Sequence, residues 1–455
     1  MAGFLPYSEY TPSPSTWLGE LPKHWQTSRV KFLFQILKRI CGVLGHDVLS
    51  ITQKGIKKKD TESGEGQLSS DYSKYQIVQP GDFAMNHMDL LTGFVDISPI
   101  AGVTSPDYRV FGLIRTGYCD RYYLYLWQMG YHQQIFFHYG QGSAHLGRWR
   151  LPAEAFKNLI FPVPPQTEQI KIAHFLDNET SRIDRLIEKQ QQLIMLLREK
   201  RQAVISHSIT KGIDSSVPMK DSGVEWFGEV PQHWQVLRNK HVFRLLNGFA
   251  FKGEHFRKDQ AEAPLLVTPG NFLPEGGLYF SEKNSNYFIG EYSARYELNV
   301  RDLLMVLTDL SYKKLILGGT AFVSRNGLLL NQRIAKIVIE ERMADRVDVD
   351  FLSQVLNSNP VRDQLKLTAS GATVFHSSPE KVGNCWVVVP PLKEQKNIVK
   401  ELVRQTEHIK NTITSAEKAI RLLQERRIAL ISAAVTGKID VRNHPSAQPA
   451  NKEVA

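Results

Sequence analysis

The sequence predicts an α+β chain. Two globular mixed α/β domains are separated by two long helices that form an antiparallel coiled coil, and a pseudo-twofold internal repeat relates the halves. Three observations carry this reading. Two stretches of the chain recur, two runs without glycine or proline bear the same aliphatic seam, and the intervening segments mix short β-rich runs with aromatics and glycine turns.

The first repeat is a short tag. Residues 17–26 read WLGELPKHWQ and residues 226–235 read WFGEVPQHWQ, with seven of ten positions identical. The second is longer: residues 161–214 align with 387–440 at a constant offset of 226, with 21 identities in 54 positions. The offsets differ, 209 for the tag against 226, so the segment between the two motifs is longer in the second half.

Each common end reads as a long helix. Neither glycine nor proline occurs from Gln166 to Ser208 or from Leu392 to Ala434, a proline pair precedes each run, and Gly212 or Gly437 follows. A helix of that length spans about 64 Å. Heptad-like steps select Leu176, Ile183, Ile187, Ile194, Leu197 and Val204, and adding 226 selects Leu402, Ile409, Ile413, Ile420, Leu423 and Leu430. All are aliphatic, as a coiled-coil seam requires, and the polar interruptions coincide at Thr180 with Thr406 and Arg201 with Arg427. The same stripe would serve two helices lying on their own domains, but the identical seam favours their pairing.

The middles, 27–160 and 236–386, carry runs such as YQIV, LLMVL and CWVVV. The chain thus divides into a domain over 1–160, a helical spacer over 161–214, a domain over 215–388, a spacer over 389–440 and a disordered tail over 441–455.

Lys plus Arg outnumber Asp plus Glu by 56 to 46, giving +10 and a pI near 9.3. That surplus suits a polyanion, although many proteins are mildly basic. Cys41, Cys119 and Cys385 stand far apart in no metal-ligand spacing, and read as buried small hydrophobes of a reducing compartment. No secretory signal opens the chain and no apolar run is long enough to cross a bilayer, so a cytoplasmic location without membrane contact is expected.

Catalytic motifs are missing. The proline pairs at 164–165 and 390–391 lie in the repeat rather than in a methyltransferase loop, and no phosphate-binding G-x-x-x-x-G-K-[ST] occurs. Glu394-Gln-Lys396 has a nuclease-like spacing, yet it sits at a helix start without a partner Asp, where Glu complements the dipole. His24 and His233 belong to the tag, with packing or capping roles. No catalytic residue, metal ligand or bound cofactor is assigned.

Taken together, these residues resemble the DNA-specificity subunits of type I restriction–modification systems. The tag Asp221–Trp234 (DSGVEWFGEVPQHW) and its first copy Trp17–Trp25 look like the openings of such subunits. The Pro-Pro-led helix ending Thr-Lys-Gly-Ile-Asp214 is similar to the family's common region. Residues 80–88 (PGDFAMNHM), 102–110 (GVTSPDYRV), 300–305 (VRDLLM) and 330–333 (LNQR) resemble motifs of its target-recognition domains. The first tag departs in lacking the Asp-Ser-Gly lead-in; Thr11-Pro-Ser-Pro-Ser15 stands there, and a disordered edge is expected.

The resemblance implies two target-recognition domains, each reading one half of a bipartite site on double-stranded DNA. It further implies that the paired helices hold these domains in opposite orientations at fixed separation and scaffold two methyltransferase subunits, which restriction subunits then join. S-adenosylmethionine, Mg²⁺ and ATP would belong to those partners. A self-contained DNA methyltransferase or nuclease with diverged motifs is the alternative, and a purely helical adaptor is disfavoured by the 285 of 455 residues in the middles.

Candidate DNA contacts follow from side-chain chemistry. Lys54, Lys57, Lys58 and Lys59 form a basic glycine-containing loop, and Lys313 with Lys314 a second cluster; such groups neutralise phosphates or merely solvate a loop. Gln141, Ser143, His145 and Arg148 before the first helix match Ser370, Thr373 and His376 before the second. Small residues there admit a close backbone approach and polar ones supply donors, or the segments are ordinary turns. Gln332 and Arg333 could address a guanine or pair with an acid.

Overall fold

The computed structural model describes residues 4–53, 55–60, 72–143, 148–259, 262–274, 276–309, 315–371 and 374–448. They fall into two compact units, Met1–Gln191 with Glu417–Ala455, and Gln192–Ala416. Each unit takes one mixed domain and a stretch of both long helices.

In unit one a four-stranded antiparallel sheet has the order Phe34–Ile36, Arg109–Leu113, Phe83–Met85, Val95–Ile97. Against it packs the helix Asp120–His132, nine of whose 13 residues are buried, so it is covered on nearly every side. Trp127 anchors this core, stacked on Phe156 at 4.9 Å and edge-on to Phe161 at 4.7 Å. Large rings supply the most apolar area per residue ordered, which explains the aromatic density of this middle.

Unit two repeats the sheet in the order Phe243–Asn247, Ile334–Ile339, Leu303–Val306, Thr320–Phe322. Its strand Leu303–Val306 is buried throughout because alternate side chains enter different cores. Leu303 and Met305 join one, Leu304 and Val306 the other. Val349–Leu356 closes the first core, its N-terminus capped by Asp348 accepting from the Phe351 N–H at 2.9 Å.

The tags fold alike. Tyr10–Pro12 pairs with Glu20–Pro22, and Met219–Asp221 with Glu229–Pro231, at the same offset of 209. The first edge, expected to be disordered, is therefore a strand. Its missing lead-in is offset by Tyr10, whose hydroxyl donates to the Gly437 carbonyl at 3.0 Å.

The long helices run Gln166–Lys211 and Leu392–Val435 and end at Gly212 and Gly437, both left-handed at φ 75 and 70. All twelve seam residues are buried or half-buried. In unit one, Leu176, Ile183 and Leu430 lie in the domain core with Ile187 and Leu423 packed against it. Leu402 and Val204 do the same in unit two. The helix stretches within unit one are antiparallel: Glu168 and Gly437 meet at Trp25, while further along Asp184 accepts from Arg427 at 3.0 Å. In unit one the two ways of burying the stripe thus coexist, since seam residues of both helices lie in or against one domain core. Thr180 and Thr406 satisfy their hydroxyls on their own helices, at the Leu176 and Leu402 carbonyls, each at 2.6 Å.

Residues 441–448, expected within a disordered tail, instead pack: Val441 and Ala447 are buried, and Asn178 donates to the Ser446 carbonyl at 2.8 Å. Residues 449–455 lie outside the described residues. Of the three cysteines only Cys385 is buried, its thiol pushed up to about 11 by desolvation; Cys41 and Cys119 are half-buried. Among the described residues no helix is long and apolar enough to cross a membrane.

Candidate nucleic-acid interface

The two repeats meet in a joint built the same way in each unit. Glu168 at the start of the first long helix accepts from the Trp25 indole at 3.0 Å and from the Tyr7 hydroxyl, and lies 2.9 Å from His24 Nε2. Glu394 accepts from the Trp234 indole at 3.0 Å and lies 2.8 Å from His233 Nε2. The adjacent glutamines reach the domain helices: Gln169 accepts from the Cys119 N–H at 2.9 Å and Gln395 from the Asp348 N–H at 2.8 Å. Glu394 does occupy a first helical turn, but its carboxylate serves the tag, a role its Glu-x-Lys spacing did not reveal. Long-range pairing of this kind has no local sequence signal. These groups are structural, and they orient each domain on its helices.

In unit one the lysine run is a strand rather than a loop. Gly55–Lys58 pairs antiparallel with Leu49–Thr52, because Ile51 and Ile56 share a buried face. Lys57 and Lys58 are exposed, and Lys58 forms an ion pair with Asp47 at 2.6 Å. Lys59 is half-buried, and Lys54 lies outside the described residues.

The second candidate segment is a hairpin, Gln141–Ser143 with Arg148–Arg150, in which Gln141 opposes Arg150 and Ser143 opposes Arg148. His145 lies outside the described residues. Trp149 fixes the hairpin, donating to the Phe137 carbonyl at 2.7 Å and stacking on that ring at 5.1 Å. The Leu151 N–H donates to the His87 carbonyl at 2.9 Å, tying the hairpin to the PGDFAMNHM segment. There His87 Nδ1 is buried and has no hydrogen-bond partner among the described residues. Burial, then the charges of Arg109 and Arg150, push this imidazole down to about 3.

In unit two the candidates converge on Leu307 and Thr308. The Leu307 N–H donates to the Arg333 carbonyl at 3.0 Å and its own carbonyl accepts from Ser377 at 2.9 Å. Thr308 Oγ1 lies 3.0 Å from His376 Nδ1, and His376 pairs with Ser370 through backbone bonds of 2.9 and 3.1 Å. Gln332, Arg333, Ser370 and His376 are all exposed, and no carboxylate pairs with Arg333 among the described residues. The reading of Arg333 as the partner of an acid therefore finds no support there. Lys313, Lys314 and Thr373 lie outside the described residues. Phe249, which sequence reasoning did not single out, adjoins this segment: its carbonyl accepts from the Gln332 N–H at 2.9 Å. The signal in the sequence was an aromatic two residues past the run Phe243–Asn247.

Among the described residues no group of three or more His, Cys, Asp or Glu could hold a metal ion.

No family model matches the chain. Over 318 residues, 67% of its length, it is 23% identical to the type I restriction enzyme MjaVIII specificity subunit of Methanocaldococcus jannaschii, spanning 66% of that protein. It is 22% identical over 447 residues to the putative MjaX specificity subunit of the same organism, covering 94% of this chain and 96% of that one. Among solved structures it superposes on a chain from a type I restriction–modification system described for its assembly and conformational transition. The TM-score is 0.63 at 12% identity, covering 91% of this chain and 98% of that one. The HsdS subunit from Thermoanaerobacter tengcongensis matches with a TM-score of 0.52 at 13% identity, covering 94% of this chain and all of that one. The likenesses to the MjaX subunit and to the two solved structures each run along more than nine tenths of the chain.

Proposed function

We infer that the chain is the DNA-specificity subunit of a type I restriction–modification system. Its curated homologues carry that function, and the joint of Glu168 with Trp25, rebuilt by Glu394 with Trp234, is the single observation that carries the two-reader reading. One chain that builds the same mount twice presents two independent domains, and the sequences on those mounts differ. Each domain reads one half of a bipartite duplex site: unit one through Lys57–Lys59 and the hairpin of Gln141 and Arg148, unit two through Gln332, Arg333, Ser370 and His376. Lysines at phosphates position the protein, and Gln and Arg at base edges specify sequence.

The chain performs no chemistry. Methyl transfer and cleavage belong to two methyltransferase subunits and to restriction subunits in the cytoplasm, and those partners hold the S-adenosylmethionine, Mg²⁺ and ATP.

Co-expression with the methyltransferase subunit of its own system, followed by sequencing of methylated bases, tests this. One bipartite motif is expected. Exchanging residues 27–160 for the matching domain of a relative should alter one half-site alone. A continuous motif, or alteration of both halves, would contradict the reading. Methyl transfer by the purified chain alone would favour the self-contained enzyme instead.

A further inference from the structure

Phe249 follows the strand Phe243–Asn247 and is 45% exposed. A lone exposed apolar side chain is ordinary and by itself implies nothing. Three features set this one apart. Its ring is fixed from behind, by Tyr296 at 5.1 Å and 33° and by Phe251 at 5.3 Å and 83°, while Arg295 stands 4.6 Å over Tyr296. Its backbone is locked to the LNQR segment: the Phe249 N–H donates to the Leu330 carbonyl at 3.0 Å, and its carbonyl accepts from Gln332 at 2.9 Å. A Cβ at Gly248 would meet the Asn331 backbone at 2.2 Å, so only glycine permits this approach. Phe249, Gln332 and Arg333 therefore form one rigid edge. Finally, unit one carries an exposed apolar side chain at the matching position. Ile40, 209 residues earlier, is 57% exposed and follows the strand Phe34–Ile36.

Resting on the specificity-subunit reading, we propose that Phe249 contacts a thymine C5-methyl group in the major groove, beside the base pair addressed by Gln332 and Arg333. The major-groove edge sets the thymine methyl next to hydrogen-bonding groups, and an apolar ring flanked by an amide and a guanidinium is the complementary surface. Intercalation needs a ring that projects freely between base steps, whereas Tyr296 and Phe251 hold this one at the surface. Arg333, which no carboxylate pairs among the described residues, adds charge complementarity to the duplex.

The test uses the chain assembled with its methyltransferase subunits and its cognate duplex. Thymines in the half-site assigned to unit two by domain exchange are replaced one at a time by uracil, which removes only the methyl group. One replacement should weaken binding by the wild type about fourfold, the worth of one buried methyl. Phe249→Ala should be indifferent to that replacement, and the other half-site should respond identically in both proteins. Should Phe249→Ala not assemble, Phe249→Leu decides with the same scan: a reduced methyl effect supports the contact and an unchanged one overturns it. A flat scan in a complex that keeps its cognate preference, including one whose half-site holds no thymine, overturns this inference alone. A complex with no sequence preference overturns the specificity reading, and this inference with it.

Discussion

The Trp25 indole N–H donates to Glu168 at 3.0 Å across 143 residues of chain. Glu168 is only 3% exposed, so its carboxylate would be costly to bury without donors; Trp25, Tyr7 and His24 supply them. Gln169, the next residue, holds the N-terminus of the helix Asp120–His132. One dipeptide at the start of a long helix thus fixes both the tag and the domain, and Glu394-Gln395 repeats the device.

Removing the carboxylate leaves donors unpaired, at about 1–3 kcal/mol for each buried group. Glu168→Ala should therefore destabilise more than Glu394→Ala, because the side chains are 4% and 24% exposed respectively. Urea unfolding of both variants measures the difference. Equal losses would mean that burial does not set the cost.

Burial also ranks the seam positions. Ile183 and Ile409 are buried, at 4% and 5%, whereas Ile187 and Ile413 are half-buried. Ile183→Asp with Ile409→Asp should cost several kcal/mol and abolish assembly with the methyltransferase subunits, while Ile187→Asp with Ile413→Asp does less damage. Thermal melting and co-purification read this out. The reverse ranking would refute the packing described.

His87 links stability to pH. Its folded value near 3 lies below the unfolded 6.5, so the unfolded state binds the proton first. The stability it contributes is complete above pH 6.5 and declines as pH falls toward 3, by at most about 1.4 kcal/mol per unit. His87→Gln should flatten that slope between pH 6.5 and 5. Parallel stability curves for the two proteins would show that His87 is not held neutral.

At the lysine strand, Lys57 has no ion pair among the described residues, whereas Lys58 is engaged by Asp47. Lys57→Ala should weaken cognate and random DNA alike and lower the salt slope of binding by about one, with a smaller change for Lys58→Ala. Loss confined to the cognate site would make Lys57 a base contact instead.

The sequence by itself determined the duplication, the two long helices and their seam. Those features are periodic and local: an aliphatic stripe at coiled-coil spacing, proline before it and glycine after it, survive in any tertiary context. It also marked Ser370 and His376 as polar residues in or just after a small-residue segment, and Gln332 and Arg333 as polar residues of the LNQR motif. Only the tertiary structure decided that their segments adjoin, since the backbone bonds through Leu307 join stretches far apart in the chain. The same holds for Glu168, whose partners lie 143 to 161 residues away. Pairing with Leu49–Thr52 makes a strand of the lysine run, and packing on the first long helix orders residues 441–448. A hydrogen bond or a buried face depends on what the fold brings opposite, and side-chain type alone does not carry that information.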